Sequence, residues 1–261
     1  MQTKPLGRLI RRFGPSARLL TEYRSRTLVR APEFADLLLC TRFARPGSTA
    51  VDVGASVGNY AVAMMRAVGK HGRVLALEAN PTVFEELRHS IWGTAVEAHN
   101  VAASNAAGPG VLLIPTDTRG RALEPIASLV DRGQRARRVT VSQVRLDDLL
   151  RDVDDVSLLK VDVEGHELQV LKGASNVLER HRPTVVAEIE DRHMHGGTVG
   201  DVVDYMAAAG YVCHAIHGSR LIDWRDFDLD RWQRRWLADG QPSDQSVNYV
   251  NNFVFRCLDA G

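Results

Sequence analysis

Short apolar runs alternate with stretches of helical period from about residue 49 to the end of the chain. "TAVDVGA" (49–55), "RVLALEA" (73–79), "GVLLIP" (110–115) and "RRVTVSQVRL" (137–146) read as strands, and "AVEAHNVAAS" (95–104) as a strand and its exit. So do "VSLLKVDV" (156–163), "TVVAEIE" (184–190), "YVCHAIH" (211–217) and "NNFVFRC" (251–257). The runs at 156–163 and 184–190 are continuously apolar, as strands buried on both faces are. Between them, "GNYAVAMMRAVG" (58–69), the segment from Asn80–Pro81 to His89, and "VGDVVDYMAAAG" (199–210) carry helical patterning and caps. A short helix is expected at 147–152, with Asp147 and Asp148 at its positive end.

Strands that alternate with helices predict an α/β fold, a doubly wound sheet with helices on both faces. The sheet is expected to be mostly parallel, with an antiparallel last strand. The reading divides the chain into an N-terminal basic helical segment (1–47) and one α/β domain (48–261) with an insertion at 218–249. In such sheets ligands sit at the carboxyl ends of the strands. That singles out three loops, at 52–59, 78–81 and 162–167.

Composition narrows the function classes. In 261 residues, 44% are hydrophobic and 25% charged, with a net charge of +1, so nothing in the balance calls for nucleic acid. No apolar run approaches the roughly 20 residues needed to span a bilayer. Cys40, Cys213 and Cys257 lie far apart and suit free thiols in a reducing compartment, which points to the cytoplasm. No secretory signal is legible. The local balance is less even. Lys4 and seven arginines precede residue 31 against Glu22 alone. Two amphipathic surface helices explain this; a basic arm for an acidic partner or weak peripheral membrane contact is the alternative.

The first loop reads Asp52-Val-Gly54-Ala55-Ser56-Val-Gly58-Asn59. Its glycines permit a tight turn and close approach to a ligand. Its spacing differs from the dinucleotide pattern G-x-G-x-x-G, and Asp52 would repel a pyrophosphate, which disfavours a dehydrogenase. A carboxylate there suits a ligand ammonium. Glu78, at the next strand end and beside Ala79, can accept hydrogen bonds from both ribose hydroxyls. An ammonium and a ribose on successive strand ends describe S-adenosyl-L-methionine.

These motifs resemble the FkbM-type S-adenosylmethionine-dependent methyltransferases over roughly 48–190, plus the closing "NNFVFR". Asp52, Gly54, Ala55 and Gly58 match the family's D-x-G-A-N-x-G, with Ser56 where asparagine is usual. "LEANP" (77–81), "NVAAS" (100–104), "RLDDLL" (145–150) and "KVDVEGHELQVLKGA" (160–174) match further motifs. The resemblance implies a class I methyltransferase (Rossmann-like) fold and methyl transfer to oxygen. It places Asn100 and Val101 beside the adenine, and Glu188 in the family's fifth-strand motif.

The catalytic expectation centres on Asp162, His166 and Glu188. Asp162 and Glu188 end neighbouring strands and can grip the acceptor hydroxyl directly or through a hard cation, with magnesium suited to the oxygen donors. His166 can take the hydroxyl proton. The bland alternative has Asp162 or Glu164 capping the following helix, His166 on the surface and Glu167 solvated. His193 and His195 follow a strand end and can rim the site. The insertion holds Trp224, Trp232 and Trp236 among alternating Asp and Arg, a composition that suits sugar stacking or a homodimer interface. The expected acceptor is a hydroxyl of a saccharide or glycolipid. A polyketide-type natural product and a non-catalytic cofactor-binding module are the alternatives.

Overall fold

The computed structural model describes residues 41–124, 127–131, 133–194, 196–217, 220–238, 241–242 and 248–257. The basic stretch before residue 41, Cys40 and His195 lie outside the described residues.

The chain enters the sheet at β1 (Thr49–Val53), whose five residues are all buried. It crosses through α1 (Asn59–Val68) to β2 (Arg73–Leu77), and through α2 (Pro81–Ser90) to β3 (Val96–His99). Asn80 starts α2 by accepting the Thr82 N–H at 3.0 Å, ahead of Pro81. After β4 (Ala102–Ala103), β5 (Gly108–Pro115), β6 (Ala136–Val144) and the short α3 (Leu146–Leu149), the chain returns to the other side of β1 as β7 (Val156–Val161). Then come α4 (Glu167–Lys172), α5 (Ser175–His181), β8 (Thr184–Glu188), α6 (Val199–Ala208) and β9 (Tyr211–His217). β10 (Arg220–Asp223), α7 (Leu229–Trp232), β11 (Leu237–Ala238), β12 (Gln241–Pro242) and β13 (Asn252–Cys257) complete it.

The central sheet has eight strands in the order β10-β9-β13-β8-β7-β1-β2-β3. The five from β8 to β3 are parallel, and β13 runs antiparallel between β8 and β9. The expected doubly wound sheet with an antiparallel last strand is therefore present, and β10 adds a further antiparallel edge. The order in which strands are added reverses between β1 and β7, which makes their carboxyl ends the switch point where such folds bind ligands. Two apolar cores cover the faces. One gathers Val51, Val53, Leu159, Val161, Phe253 and Phe255 under α4, α5 and α6. The other gathers Ala50, Ala76, Leu158, Val186 and Val254 under α1 and Leu87 of α2.

Two expectations need correction, and the run 95–104, read as a strand and its exit, sends that exit into another sheet. The β2–β3 ladder ends at Leu77↔His99, and β4 leaves to join β5 and β6 in a separate three-stranded sheet. That sheet has its own small core of Ala102, Leu112, Ile114 and Val141. The helix expected at 147–152 spans only Leu146–Leu149. Asp147 is buried and serves a later helix: its carboxylate accepts the N–H groups of Asn176 and Val177 at 3.0 and 3.1 Å, in the first turn of α5.

Candidate active site

Three loops converge on a cavity of about 160 Å³ at the carboxyl ends of β1, β2 and β7. Of the residues singled out in the sequence, Gly54, Ser56, Glu78, Ala79, Val101, Asp162 and His166 line it. Asp52, Ala55, Gly58, Asn59, Asn100 and Glu188 are not among its walls. Apolar Val83, Val101, Leu112 and Leu129 form one side.

Glu78 organises the cavity floor. Its carboxylate accepts the Ser56 N–H at 2.9 Å on one oxygen and the Asn80 N–H at 2.8 Å on the other. Burial pushes the carboxyl up to about 7, against those two bonds. Ser56 takes the left-handed conformation (φ 48°), which turns its N–H toward Glu78. Asn100, expected beside the adenine, instead donates its amide to the carbonyls of Glu78 and Ala79 at 2.8 and 3.2 Å. It fixes the loop from behind.

Asp52 also lies behind the wall. It is 1% exposed and shares a sheet face with Ala50, turned toward α1. The Ala61 N–H serves its carboxylate, yet Oδ2 has no hydrogen-bond partner, and burial pushes the group up to about 6. Its parallel-strand neighbour in register is Lys160, also 1% exposed. The Lys160 Nζ lies 3.2 Å from Asp162 Oδ2 and 4.8 Å from the centre of the Tyr60 ring. Burial pulls its ammonium down, but Asp162, Tyr60, Glu188 and Asp52 more than offset this and hold it above its ordinary range.

The turn after β7 is ordered from within. Asp162 donates its N–H to the Val53 carbonyl at 3.0 Å, which locks the two loops together. Glu167, read from the sequence as solvated, is 1% exposed. Its Oε1 accepts the N–H groups of Gly165 at 2.9 Å and Val163 at 3.3 Å. The turn needs an internal acceptor because Glu164 and Gly165 both have positive φ, which leaves their neighbours' amides without helical partners. No side chain caps α4, so neither Asp162 nor Glu164 plays that part. Burial drives Glu167 up to about 7. His166 is not a surface residue: it lines the cavity with Nε2 3.0 Å from Ser104 Oγ, and burial pushes it down to about 4, so its ring is neutral.

A second polar cluster adjoins. Burial and the Asp162 charge raise Glu188 well above the usual carboxylate range, and its Oε1 accepts the Asn251 amide at 2.7 Å. Glu190 takes that same amide at 3.1 Å, the Tyr249 hydroxyl at 2.7 Å and the Arg192 guanidinium. His193 is buried, with Nδ1 2.9 Å from Glu164 Oε2. Gln233, 1% exposed, ties the insertion to this cluster: it accepts the Asp191 N–H and donates to the carbonyls of Ile189 and Val250.

Two of the insertion's three tryptophans serve packing, while Trp236 donates its Nε1–H to the Arg231 carbonyl at 2.9 Å within the insertion. Trp224 stacks on Phe227 at 5.6 Å and meets Phe253 edge-on, and Trp232 lies 4.9 Å from His217; both pack against the main core. Its charges pair partly within it, as Asp223–Arg225 and Arg234–Asp230, and Arg234 also reaches out to Asp191.

Among the described residues, no three His, Cys, Asp or Glu side chains come together as a metal cluster. The Asp162–Glu188 pair is a poor fit for a divalent ion, because one of its two carboxylates already has an ammonium within 3.2 Å. Sequence reasoning missed Lys160, although a lysine inside an unbroken apolar strand is a visible anomaly. It also missed the part played by Asn251, although "NNFVFR" begins there, and Tyr249, which carries no local signal.

The "Methyltransferase FkbM domain" family model matches residues 52–213. The chain belongs to the FkbM methyltransferase family. No curated protein matches the sequence. Among solved structures, an FkbM methyltransferase from Methylobacillus flagellatus KT is 16% identical, with a TM-score of 0.49, covering 96% of this chain. The chain spans 60% of that protein's length. An S-adenosylmethionine-dependent O-methyltransferase from Thermotoga maritima is 13% identical (TM-score 0.45, 88% of this chain and 67% of that one). Fibrillarin from Aeropyrum pernix, with natively bound S-adenosylmethionine, is 11% identical (TM-score 0.44, 82% of this chain and 68% of that one). Among the described residues, no helix is long and apolar enough to cross a membrane.

Proposed function

We propose that this FkbM methyltransferase methylates oxygen, on a hydroxyl of a saccharide or glycolipid. The observation that carries the reading is the Asp162 carboxylate, 30% exposed on the cavity wall, with Glu188 close enough that the Asp162 charge raises the cost of ionising it. The cofactor supplies a methyl group already activated as a sulfonium substituent. Glu78 is the acceptor for its ribose hydroxyls, and the apolar side at Val83, Val101 and Leu112 suits a flat base.

An aliphatic hydroxyl needs a proton acceptor as it attacks. Asp162 accepts a hydrogen bond from the acceptor hydroxyl and aims its oxygen along the line of transfer. As the oxygen–carbon bond forms, the carbon–sulfur pair returns to sulfur and the hydroxyl proton passes to the carboxylate pair. Glu188, raised in affinity for protons, suits that last role. His166, pushed down to about 4, is the weaker base and orients by hydrogen bonding.

The test is mass spectrometry of monosaccharides, oligosaccharides and glycolipids after incubation with methyl-labelled S-adenosylmethionine. An O-linked label on a sugar supports the reading. A label on nitrogen or carbon, or on a polyketide-type acceptor in preference to every sugar, overturns it.

A further inference from the structure

Lys160 is the one lysine among the residues of the cavity's loops and supporting strands, and it is sealed beneath them. It belongs to β7, where all six residues are buried. Its stem runs beside Asp52 and its ammonium sits between the Tyr60 ring and Asp162. A buried ammonium is costly unless it is paired. Here it is surrounded by carboxylates on three strand ends, namely Asp52 on β1, Asp162 after β7 and Glu188 on β8, each of which it attracts. Asp162 is the nearest, at 3.2 Å, and the one that reaches the cavity.

We propose that Lys160 is a positioning residue: its ammonium holds the Asp162 carboxylate toward the transfer point and occupies, as a fixed positive charge, the place where a divalent ion would otherwise bridge Asp162 and Glu188. The geometry favours this over a packing role. An aliphatic residue would fill the same core position without the desolvation of a charge, and leucine does so at the neighbouring Leu158 and Leu159. It also favours the ammonium over a metal. A divalent ion between the two carboxylates would sit against a positive charge that has no route to solvent. The inference rests on Asp162 acting at the acceptor, as in the reading above, but its test needs no acceptor. Failure to methylate any sugar therefore leaves it standing.

The experiment uses the full chain. Manganese chloride is titrated into wild type, Asp162→Asn, Lys160→Met and Lys160→Met/Asp162→Asn while the free-ion signal is followed by electron paramagnetic resonance. Wild type is expected to leave the free-ion signal unchanged. Lys160→Met, freed of the ammonium, should remove free ion, and the double variant should lose that capacity again. In parallel, nitrogen-15 spectra of lysine ammonium groups should show one slowly exchanging signal that is missing in Lys160→Met and shifted in Asp162→Asn. A methionine that fills the space would not tie an ammonium signal to Asp162. Manganese bound by wild type and lost in Asp162→Asn overturns the proposal. So does a folded Lys160→Met that binds no manganese, or an ammonium signal that Asp162→Asn leaves in place. If Lys160→Met does not fold, the wild-type and Asp162→Asn measurements still decide.

Discussion

A Cβ placed on Gly54 would lie 1.7 Å from the carbonyl oxygen of Asp162. The loop after β1 and the turn after β7 therefore touch backbone to backbone, and the residue at 54 must be glycine on two counts. Its φ of 77° already disfavours a side chain. Gly54→Ala should lose roughly 1–2 kcal/mol from the left-handed conformation and about 1–3 kcal/mol more from the overlap. Urea unfolding should show this loss. Calorimetry should show weakened cofactor binding, since the displaced atoms are the cavity wall. A variant as stable as wild type would mean that the two loops separate easily.

Glu167 gives the clearest pH dependence of stability. Burial raises its folded-state carboxyl from the ordinary value of 4.5 to about 7. A group raised in this way stabilises the fold fully below 4.5 and loses that contribution as pH rises through 7. The charge is then forced into a site with one oxygen, Oε2, lacking a partner. Wild-type stability should fall between pH 5 and pH 8, with Asp52 and Glu78 contributing in the same direction. Glu167→Gln keeps the acceptor for Gly165 and Val163 and removes the charge. Its unfolding free energy, measured across that range by denaturant titration, should fall less steeply than that of wild type. An unchanged slope would exclude Glu167 as the source.

The sequence made the strand ends legible because glycines, acids and caps mark them locally. The loops at 52–59, 78–81 and 162–167 do meet, as the strand order requires. What stayed hidden was the facing of side chains and the partners far along the chain. Asp52 looks like a ligand for the cofactor, but the pleat turns it with Ala50 toward α1. Asp147 looks like a cap for its own helix, yet besides neighbouring Arg145 its partners lie 28 to 30 residues later, at Ser175, Asn176 and Val177. Glu167 reads as a solvated helical position until the positive φ of Glu164 and Gly165 is known. The β5–β6 pair carries ordinary strand patterning, and nothing local says that it leaves the main sheet. Trp224 and Trp232 suggest a binding platform by composition, whereas their ring partners Phe253 and His217 are fixed only by the fold.

Glu78 predicts how cofactor binding responds to pH. With its carboxyl raised to about 7, the group is partly protonated near neutrality and accepts ribose hydrogen bonds best when ionised. Affinity for S-adenosylmethionine should rise from pH 6 to pH 8 in wild type. Glu78→Gln should flatten that response and weaken binding by roughly tenfold or more, because a hydrogen bond to a charged group contributes about 1.5–3 kcal/mol. Asp52→Asn, outside the cavity, should change affinity less than Glu78→Gln. Calorimetry at several pH values checks both. Equal losses in the two variants would return Asp52 to the role first expected of it, as the partner of the methionine ammonium.

Asp162 separates binding from chemistry. Asp162→Asn keeps the shape of the side chain and deletes its charge. The cavity's backbone contacts are made by the Asp162 N–H and carbonyl, which the substitution leaves alone. Cofactor affinity should therefore stay within a few-fold of wild type. Turnover on an identified acceptor should fall by about 10²–10⁴, the range for losing a positioned proton acceptor. Glu188→Gln should cost less if Asp162 alone meets the hydroxyl, and as much if the proton ends on Glu188. Steady-state kinetics with the cofactor saturating gives the comparison. Full turnover in both variants would leave His166 as the base in the cavity, and its low proton affinity would then demand an acceptor more acidic than a sugar hydroxyl.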